Sequence, residues 1–163
     1  MDTLSHALWG KGFFGYRRYS SWSLFFGALP DLSSFGLYFI FNLLFDPSNI
    51  KYGPPELDEL PNWVFYSYDM SHSLLVSFFV ILLVYLISKN YSFIFVMFAW
   101  PLHILLDFPF HTAEYFPTPV LWPLFDVKFD GISWADPRVW IPNFTGIFIL
   151  FLYRYIMKKK LKS

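Results

Sequence analysis

The sequence predicts an all-α fold: an integral membrane bundle of about four transmembrane helices, preceded by a short N-terminal helix. Hydrophobic residues make up 56% of the 163 residues, and aromatic residues alone make up 25%. Only 15% of the residues are charged, whereas roughly a quarter are charged in a typical soluble domain. Long segments without formal charge recur along the chain, and such segments are typical of membrane-spanning helices.

The first helices follow from these apolar segments. A short helix is predicted over residues 2–15, followed by a span over residues 19–45, in which Asp31 is the only charged residue. Another span is predicted at the end of the chain over residues 139–157, which are apolar up to Arg154.

A helical hairpin is predicted in the middle of the chain. Residues 73–88 and 91–106 contain no formal charge, and only Lys89 and Asn90 separate them. This pattern predicts two antiparallel spans joined by a tight turn. Four spans result in total, within a single membrane-embedded domain that covers residues 1–163.

The placement of cations predicts the orientation. Basic residues concentrate on the cytoplasmic side of membrane proteins. One set of helix ends carries most of them: Arg17, Arg18, Lys89, Arg154 and the tail Lys158-Lys159-Lys160-Leu161-Lys162. The C-terminus is therefore expected on the cytoplasmic side of the cytoplasmic membrane. The opposite loops, 46–71 and 107–138, are expected to form caps at the outer interface, and their only cations are Lys51, Lys128 and Arg138.

Net charge and cysteine content exclude some functions. The formal net charge is zero, and the chain offers no basic face apart from its tail, so no nucleic-acid partner is expected. Membrane lipid is the expected environment. The chain has no cysteine, so any bound metal must be held by nitrogen and oxygen atoms. The sequence places no constraint on the oligomeric state.

The histidines lie in short polar stretches within apolar sequence. His103 and Asp107 are four residues apart, so they project from the same face of a helix. Pro109 is expected to end that helix, which allows His111 and Glu114 to fold back towards it. Imidazole and carboxylate groups bind Zn²⁺ and similar ions, and a membrane interior retains such groups when they are paired or functional.

The depth of these residues along the helices is the strongest indication of a site. In a hairpin that turns near residue 18, His6 and Asp31 lie level. In the second hairpin, His72 and Asp107 lie level, with His103 one helical turn deeper. At 1.5 Å rise per residue, all five lie roughly 18 to 27 Å from the cytoplasmic ends, in the outer half of the bilayer. The sequence predicts a divalent-metal site at this depth.

Other interpretations of the histidines remain open. Each histidine is also compatible with ordinary hydrogen bonding between packed helices. Burial of unpaired Asp31 and Asp107 would, however, cost several kcal/mol, which favours a bound cation. The pairs Ser5-His6 and Ser71-His72 do not indicate a serine hydrolase, because adjacent helical residues point in different directions and the Gly-x-Ser-x-Gly elbow is missing.

The order and spacing of these motifs resemble the YdjM-type family of membrane-bound metal-dependent hydrolases. The resemblance covers about residues 3 to 125 and rests on His6, Leu29-Pro30-Asp31-Leu32, Ser71-His72-Ser73-Leu74, His103-x-x-x-Asp107 and Leu121-Trp122-Pro123-Leu124. That family is in turn similar to zinc-dependent phospholipase C and single-strand nucleases, which are all-helical enzymes with two or three zinc ions. The resemblance implies one to three zinc ions held by His6, Asp31, His72, His103 and Asp107.

The chain departs from the soluble enzymes in two places. Those enzymes use the amino group of a processed N-terminus as a ligand, whereas this chain begins Met1-Asp2 without the features of a signal peptide, so Met1 is expected to remain. Their second His-x-x-x-Glu pair has His111-x-x-Glu114 as its counterpart here, one residue shorter. Both residues are included among the expected metal ligands.

The expected activity is hydrolysis of a phosphoester in a lipid or lipid-linked substrate by metal-activated water, with Asp31 as both ligand and general base. The alternative from another class is a non-catalytic membrane protein that binds or transports a divalent cation. A structural metal that only holds the bundle together is a third interpretation, and it predicts unfolding when the ion is removed.

Overall fold

The computed structural model describes residues 1–50 and 53–160, so Lys51 and Lys162, both assigned above to the loops and tail, lie outside the described residues. Helices make up 69% of the described residues, which contain no strand, and this confirms the all-α class. The α-helices of the described residues are α1 Thr3–Phe14, α2 Ser20–Asp31, α3 Leu37–Phe45, α4 Asn62–Ser71, α5 Leu74–Ser88, α6 Tyr91–Met97, α7 Ala99–Asp107 and α8 Pro137–Lys160.

Two helices are long and apolar enough to cross a membrane. One is the continuous segment Ser20–Phe45, in which a π-helical turn over Leu32–Gly36 joins α2 to α3. The other is α8, with 24 residues. A third span results if α4 and α5, which meet at a bend of 63°, are counted together. The prediction of a membrane protein is supported, and the two or three candidate spans among the described residues are fewer than the four predicted.

The predicted central hairpin accounts for this difference. Helix α5 has 15 residues and is therefore about 22 Å long, which is short of a hydrocarbon core of about 30 Å. The segment Tyr91–Asp107, which contains α6 and α7, has 17 residues and is likewise shorter than a full span. Absence of charge identifies apolar helices, but it does not show that these helices are long enough to cross a bilayer.

Helix α4 lies within the segment 46–71 that was predicted to be a loop. Its buried residues Val64, Tyr68 and Ser71 follow a helical spacing of four and three residues. Pro61, immediately before the helix, fixes an extended backbone at its start. Helix α4 is short and has polar neighbours, among them the prolines and acidic residues of the loop. Its helical spacing is therefore difficult to recognise in the sequence.

Close packing of α1 against α2 forms the first predicted hairpin. A Cβ atom on Gly27 would lie 2.6 Å from the carbonyl oxygen of His6, and one on Gly10 would lie 2.6 Å from that of Ser23. Both positions therefore need glycine, because any side chain would push the two backbones apart. This contact aligns the start of α1 with the end of α2.

The basic helix ends gather at one end of the bundle, as predicted. The side-chain amide of Asn90 donates a hydrogen bond to the hydroxyl of Tyr19, at 3.0 Å, and so joins the two hairpin turns. The Arg154 guanidinium donates to the carbonyl oxygen of Gly12, at 2.9 Å, and lies over the ring of Tyr16. The apolar cluster around Ile81, Val96 and Met97 separates this end from the opposite one.

The segment between α7 and α8 is an ordered cap. Its two limbs are joined by backbone hydrogen bonds from Gly131 to His111, at 2.9 Å, and from Ile132 to Pro109, at 3.0 Å. The side-chain hydroxyl of Ser73 donates to the carbonyl oxygen of Trp122, at 2.5 Å, which ties the cap to the start of α5. The cap closes the end of the bundle away from the basic residues.

Candidate metal centre

Four ligand atoms converge where α2, α5 and α7 meet the cap. They belong to Asp31, His72, His103 and Asp107, and all lie within 4.8 Å of one another. His72 is placed by the bend between α4 and α5, where Ser73 caps α5 by accepting a hydrogen bond from the Val76 amide. The group could hold a metal ion.

Five of the six distances between the four atoms are close to those of a tetrahedral site. The Nε2 atoms of His72 and His103 are 3.2 Å apart. Asp107 Oδ2 is 3.2 Å from His103 Nε2 and 3.7 Å from His72 Nε2. Asp31 Oδ1 is 3.6 and 3.7 Å from the same two nitrogens. Ligand atoms bound to zinc at 2.0–2.2 Å in a tetrahedron are about 3.3–3.6 Å apart, so these five distances are compatible with a bound ion.

The imidazole rings are oriented for metal binding. Nδ1 of His103 donates to the carbonyl oxygen of Gly27 at 2.7 Å, and Nδ1 of His72 donates to that of Tyr68 at 3.1 Å. In the neutral form of each ring, these bonds leave a lone pair on Nε2, directed into the cluster. Metal-bound histidines are commonly oriented in this way by a backbone carbonyl.

An unsatisfied buried oxygen supports the same conclusion. Asp107 is 1% exposed, and its Oδ2 atom has no hydrogen-bond partner among the described residues. Two imidazole lone pairs and the Asp31 carboxylate face it, so the cluster consists of acceptors directed at one another. Buried acceptors without donors are costly, and a cation at their centre would satisfy all of them.

The other oxygen of Asp107 is held by α1 and the N-terminus. His6 Nε2 donates to Asp107 Oδ1 at 2.7 Å, and the Met1 ammonium group pairs with the same oxygen. The His6 ring stacks on His103 with centroids 3.6 Å apart. Burial lowers the pKa of His6 to about 4, which keeps the ring neutral. His6 thus supports the ligand Asp107 in this structure, and a direct role as a metal ligand stays a prediction.

His111 and Glu114, the two predicted ligands that follow Pro109, differ in position. His111 returns towards the site as expected, with Nε2 3.5 Å from Asp107 Oδ2 and a side chain 11% exposed. Glu114 does not join the cluster: it is exposed and lines a different pocket with Asp69 and Lys128. The tight turn between Thr112 and Tyr115 directs Glu114 outwards.

Local sequence explains how Asp31 reaches the cluster. Pro30 lies in the last turn of α2, and its carbonyl oxygen accepts hydrogen bonds from the hydroxyls of Ser34, at 3.0 Å, and Ser71, at 3.2 Å. The π-helical turn that follows carries the chain into α3 without a break. The Leu-Pro-Asp-Leu motif therefore joins α2 to α4 beside the metal ligands.

A pocket of about 290 Å³ opens beside the cluster. Asp31 and His111 lie in its wall together with the aromatic residues Phe35, Tyr115 and Trp134. The Asp31 side chain is 14% exposed, whereas the other three ligands of the tetrahedral group are 0–1% exposed. Asp31 is therefore the ligand through which the centre meets the pocket.

Sequence reasoning missed several residues that shape the centre. The carbonyl groups of Gly27 and Tyr68 orient the ligands, and the Trp100 indole donates to the carbonyl oxygen of Ser71 at 2.7 Å. Backbone groups carry no signal in a pattern of side chains. The Met1 ammonium group contacts Asp107, and no pattern in the sequence predicts this contact.

Comparison of the chain with protein-family models, curated proteins and solved structures finds no significant match.

Proposed function

We propose that this protein is a membrane-bound metal-dependent hydrolase of the YdjM type, which cleaves a phosphoester of a lipid or lipid-linked substrate. The observation that carries the proposal is the tetrahedral group of two imidazoles and two carboxylates, with Asp31 at the boundary between the buried ligands and an open pocket. A buried ligand set next to a pocket is the usual arrangement of a catalytic metal site.

Zinc is the proposed metal. Two histidines and two carboxylates suit Zn²⁺, and Mn²⁺ or Fe²⁺ bind similar nitrogen and oxygen ligands. When bound, such an ion polarises a phosphoryl oxygen and lowers the pKa of a coordinated water towards neutrality. The tetrahedral group supplies one site, and the neighbouring His6 and His111 are the proposed supports for one or two further ions.

Asp31 is the proposed general base. Its carboxylate faces the two imidazole nitrogens on one side and the pocket on the other, where a water molecule and a phosphoryl group would enter. A carboxylate at this boundary accepts a proton from water during attack on phosphorus. His103 and Asp107 remain fully buried and hold the geometry, while Asp31 is free to exchange ligand contact for proton transfer.

The accessibility of Asp31 also separates a catalytic site from a structural one. A structural zinc site is closed by four protein ligands, whereas a catalytic site keeps one position for water or substrate. His72, His103 and Asp107 are three buried ligands, and exchange of the fourth ligand, Asp31, for water would open the position that a catalytic site requires. A purely structural role would not require a pocket of this size beside the least buried ligand.

A transport function fits the structure less well. An ion crossing the bundle from the cluster would meet the apolar core formed around Phe26, Ile81, Val96 and Met97, which are at most 7% exposed. A transport path needs polar groups along its length. The opening at the cap side supports access from one face only.

We place the site towards the extracytoplasmic side and the C-terminus in the cytoplasm. Arg17, Arg18, Lys89 and Arg154 mark the bundle end opposite the cluster, and an excess of such residues marks the cytoplasmic side. Many exposed side chains of α3 and α8 are apolar, including Leu44 and Phe148, each 67% exposed. Such a surface suits contact with lipid, from which the substrate would enter.

The test compares metal content and hydrolysis in the same samples. Detergent-purified wild-type protein, His103→Ala and Leu105→Ala would be analysed by inductively coupled plasma mass spectrometry and assayed with bis(p-nitrophenyl) phosphate. Leu105 is on the same helix and 55% exposed, so it controls for general effects of substitution in α7. We expect wild type and Leu105→Ala to retain metal and activity, and His103→Ala to lose both.

Two outcomes would contradict the proposal. Metal content and hydrolysis that persist in His103→Ala would exclude the cluster as the active centre. The structural interpretation would be favoured if removal of the metal unfolds the protein and the wild type hydrolyses no phosphoester probe, including phosphatidic acid in mixed micelles.

A further inference from the structure

A second cavity adjoins the pocket of the metal centre. It has a volume of about 200 Å³ and runs beside α3, between this helix and the segment that follows it. Phe35 and Pro55 line both cavities, so the two adjoin at these residues. We call this second cavity the α3 groove; Tyr38, Phe39, Asn42 and Ile50 form much of its remaining wall.

The α3 groove follows one face of a single helix. Tyr38, Phe39 and Asn42 follow Phe35 by three, four and seven residues. This is the spacing of one helical face. Asp31 precedes Phe35 by four residues on the same continuous span. At 1.5 Å per residue, the groove extends about 16 Å from the metal ligand along this helix.

The groove opens on the apolar surface of α3. Phe39 lines the groove and is 53% exposed, and its neighbours Ile40, Phe41 and Leu43 are 51–52% exposed. A helix with apolar side chains around its outer face is suited to contact with lipid. Glu59 and Asn42 form the polar part of the groove wall. The aromatic residues of the wall extend from the lipid-facing surface to the pocket.

We propose that the α3 groove binds the hydrocarbon chain of the substrate while its phosphoryl group lies at the metal centre. This inference rests on the proposed function and specifies its substrate as an amphiphile with a long aliphatic chain. The groove adjoins the pocket of the centre at Phe35 and Pro55, has an aromatic wall and opens on α3. Together these features favour such a chain over a soluble phosphoester. The substrate would enter laterally from the bilayer, chain and headgroup together.

The groove offers a matched pair of variants. Phe39 and Phe41 are on the same helix and almost equally exposed, at 53% and 52%, but only Phe39 lines the groove. Phe39→Ala therefore removes a wall of the groove, and Phe41→Ala removes an equivalent ring from the outer surface. Partition of a probe into detergent micelles affects both variants equally.

The experiment measures binding of two non-hydrolysable probes, butylphosphonate and hexadecylphosphonate, to zinc-loaded protein. The readout is the ratio of their dissociation constants. We expect wild type to prefer the long chain and Phe39→Ala to lower this preference about fivefold to tenfold, from the apolar contact removed. Phe41→Ala should keep the wild-type ratio. The inference is overturned if both variants keep the ratio or lose it equally.

A crosslinking measurement on wild type does not depend on any variant folding. Hexadecylphosphonate with a terminal diazirine should label the segments around Phe39 and Ile50 upon irradiation, and labelling confined to α8 would overturn the inference. The zinc dependence of butylphosphonate binding separates the two proposals. Zinc-dependent binding without chain preference refutes the groove alone, whereas absence of zinc-dependent phosphonate binding refutes the proposed function and the groove inference with it.

Discussion

Substitution of Gly27 by alanine tests the contact between α1 and α2 on which the metal centre depends. The new Cβ atom would lie 2.6 Å from the carbonyl oxygen of His6 and 3.1 Å from the Cα atom of Ala7. Both neighbours are backbone atoms, so the contact cannot be relieved by rotation of a side chain. Helix α1 must therefore move away from α2.

The size of this movement follows from the contact distance. An ordinary carbon–oxygen contact is near 3.4 Å, so α1 would shift by about 0.8 Å, whereas metal–ligand distances are set to within about 0.2 Å. The shift separates His6 from Asp107 and disturbs Gly27, whose carbonyl oxygen orients His103. Overpacking of this kind costs about 1–3 kcal/mol of the free energy of unfolding. Loss of support for the ligands should weaken metal binding about 10- to 100-fold.

Gly36→Ala is the matched control in the same span. The Cβ atom at Gly36 would meet a Leu32 side-chain carbon at 3.3 Å, and the backbone has φ −62° and ψ −45°, which alanine adopts readily. The control should be neutral or more stable by up to about 1 kcal/mol, because alanine favours helix. The assay is thermal unfolding in detergent, combined with zinc affinity from competition with a chelator. Wild-type zinc affinity in Gly27→Ala would refute the proposed close packing at the centre.

Three further results are expected. Asn143→Leu should lower the free energy of unfolding by about 1–3 kcal/mol in thermal or denaturant unfolding, because Asn143 joins α8 to α1 through buried bonds to Trp9 and Ser5, whereas Thr145→Val, at an exposed site, should change it little. His111→Ala should lower the hydrolysis rate but retain the ion of the tetrahedral group, because the contact of His111 with Asp107 in the cluster is 3.5 Å long; loss of all metal measured by mass spectrometry would contradict this. Glu114→Gln should leave zinc affinity unchanged, and a tenfold loss would return Glu114 to the ligand set.

The alignment of the site was predictable from sequence because tight turns fix the register of antiparallel helices. The turn between α1 and α2 and the turn at Lys89-Asn90 each bring residues at equal distances from the turn to the same depth. Asp31, His72, His103 and Asp107 therefore converge as expected. The rise per residue and the positions of the two turns are enough to predict this alignment.

The number of spans was less predictable, because an apolar segment can be buried within the protein or exposed on its outer surface. Val96 and Ile104 are fully buried within the protein, whereas Leu44 and Ile87 are exposed on the outside. Both kinds of residue produce the same charge-free pattern, so the pattern does not distinguish a short buried helix from a span. The path of the cap was not predictable either, since helical periodicity ends at Asp107 and the position of Glu114 depends on a turn beyond it.

The continuous span Ser20–Phe45 links the proposed chemistry to the proposed substrate. Asp31 contributes the least buried ligand, Phe35 lines both cavities, and Phe39 reaches the outer surface, all on one helix. A rigid helix fixes the distance between a bound chain and the metal centre, so the position of the phosphoryl group would be set by how far the chain enters the groove. Substrates with chains too short to fill the groove should therefore lose turnover as well as affinity, because their phosphoryl group would no longer be held against the water that Asp31, as the proposed general base, would activate.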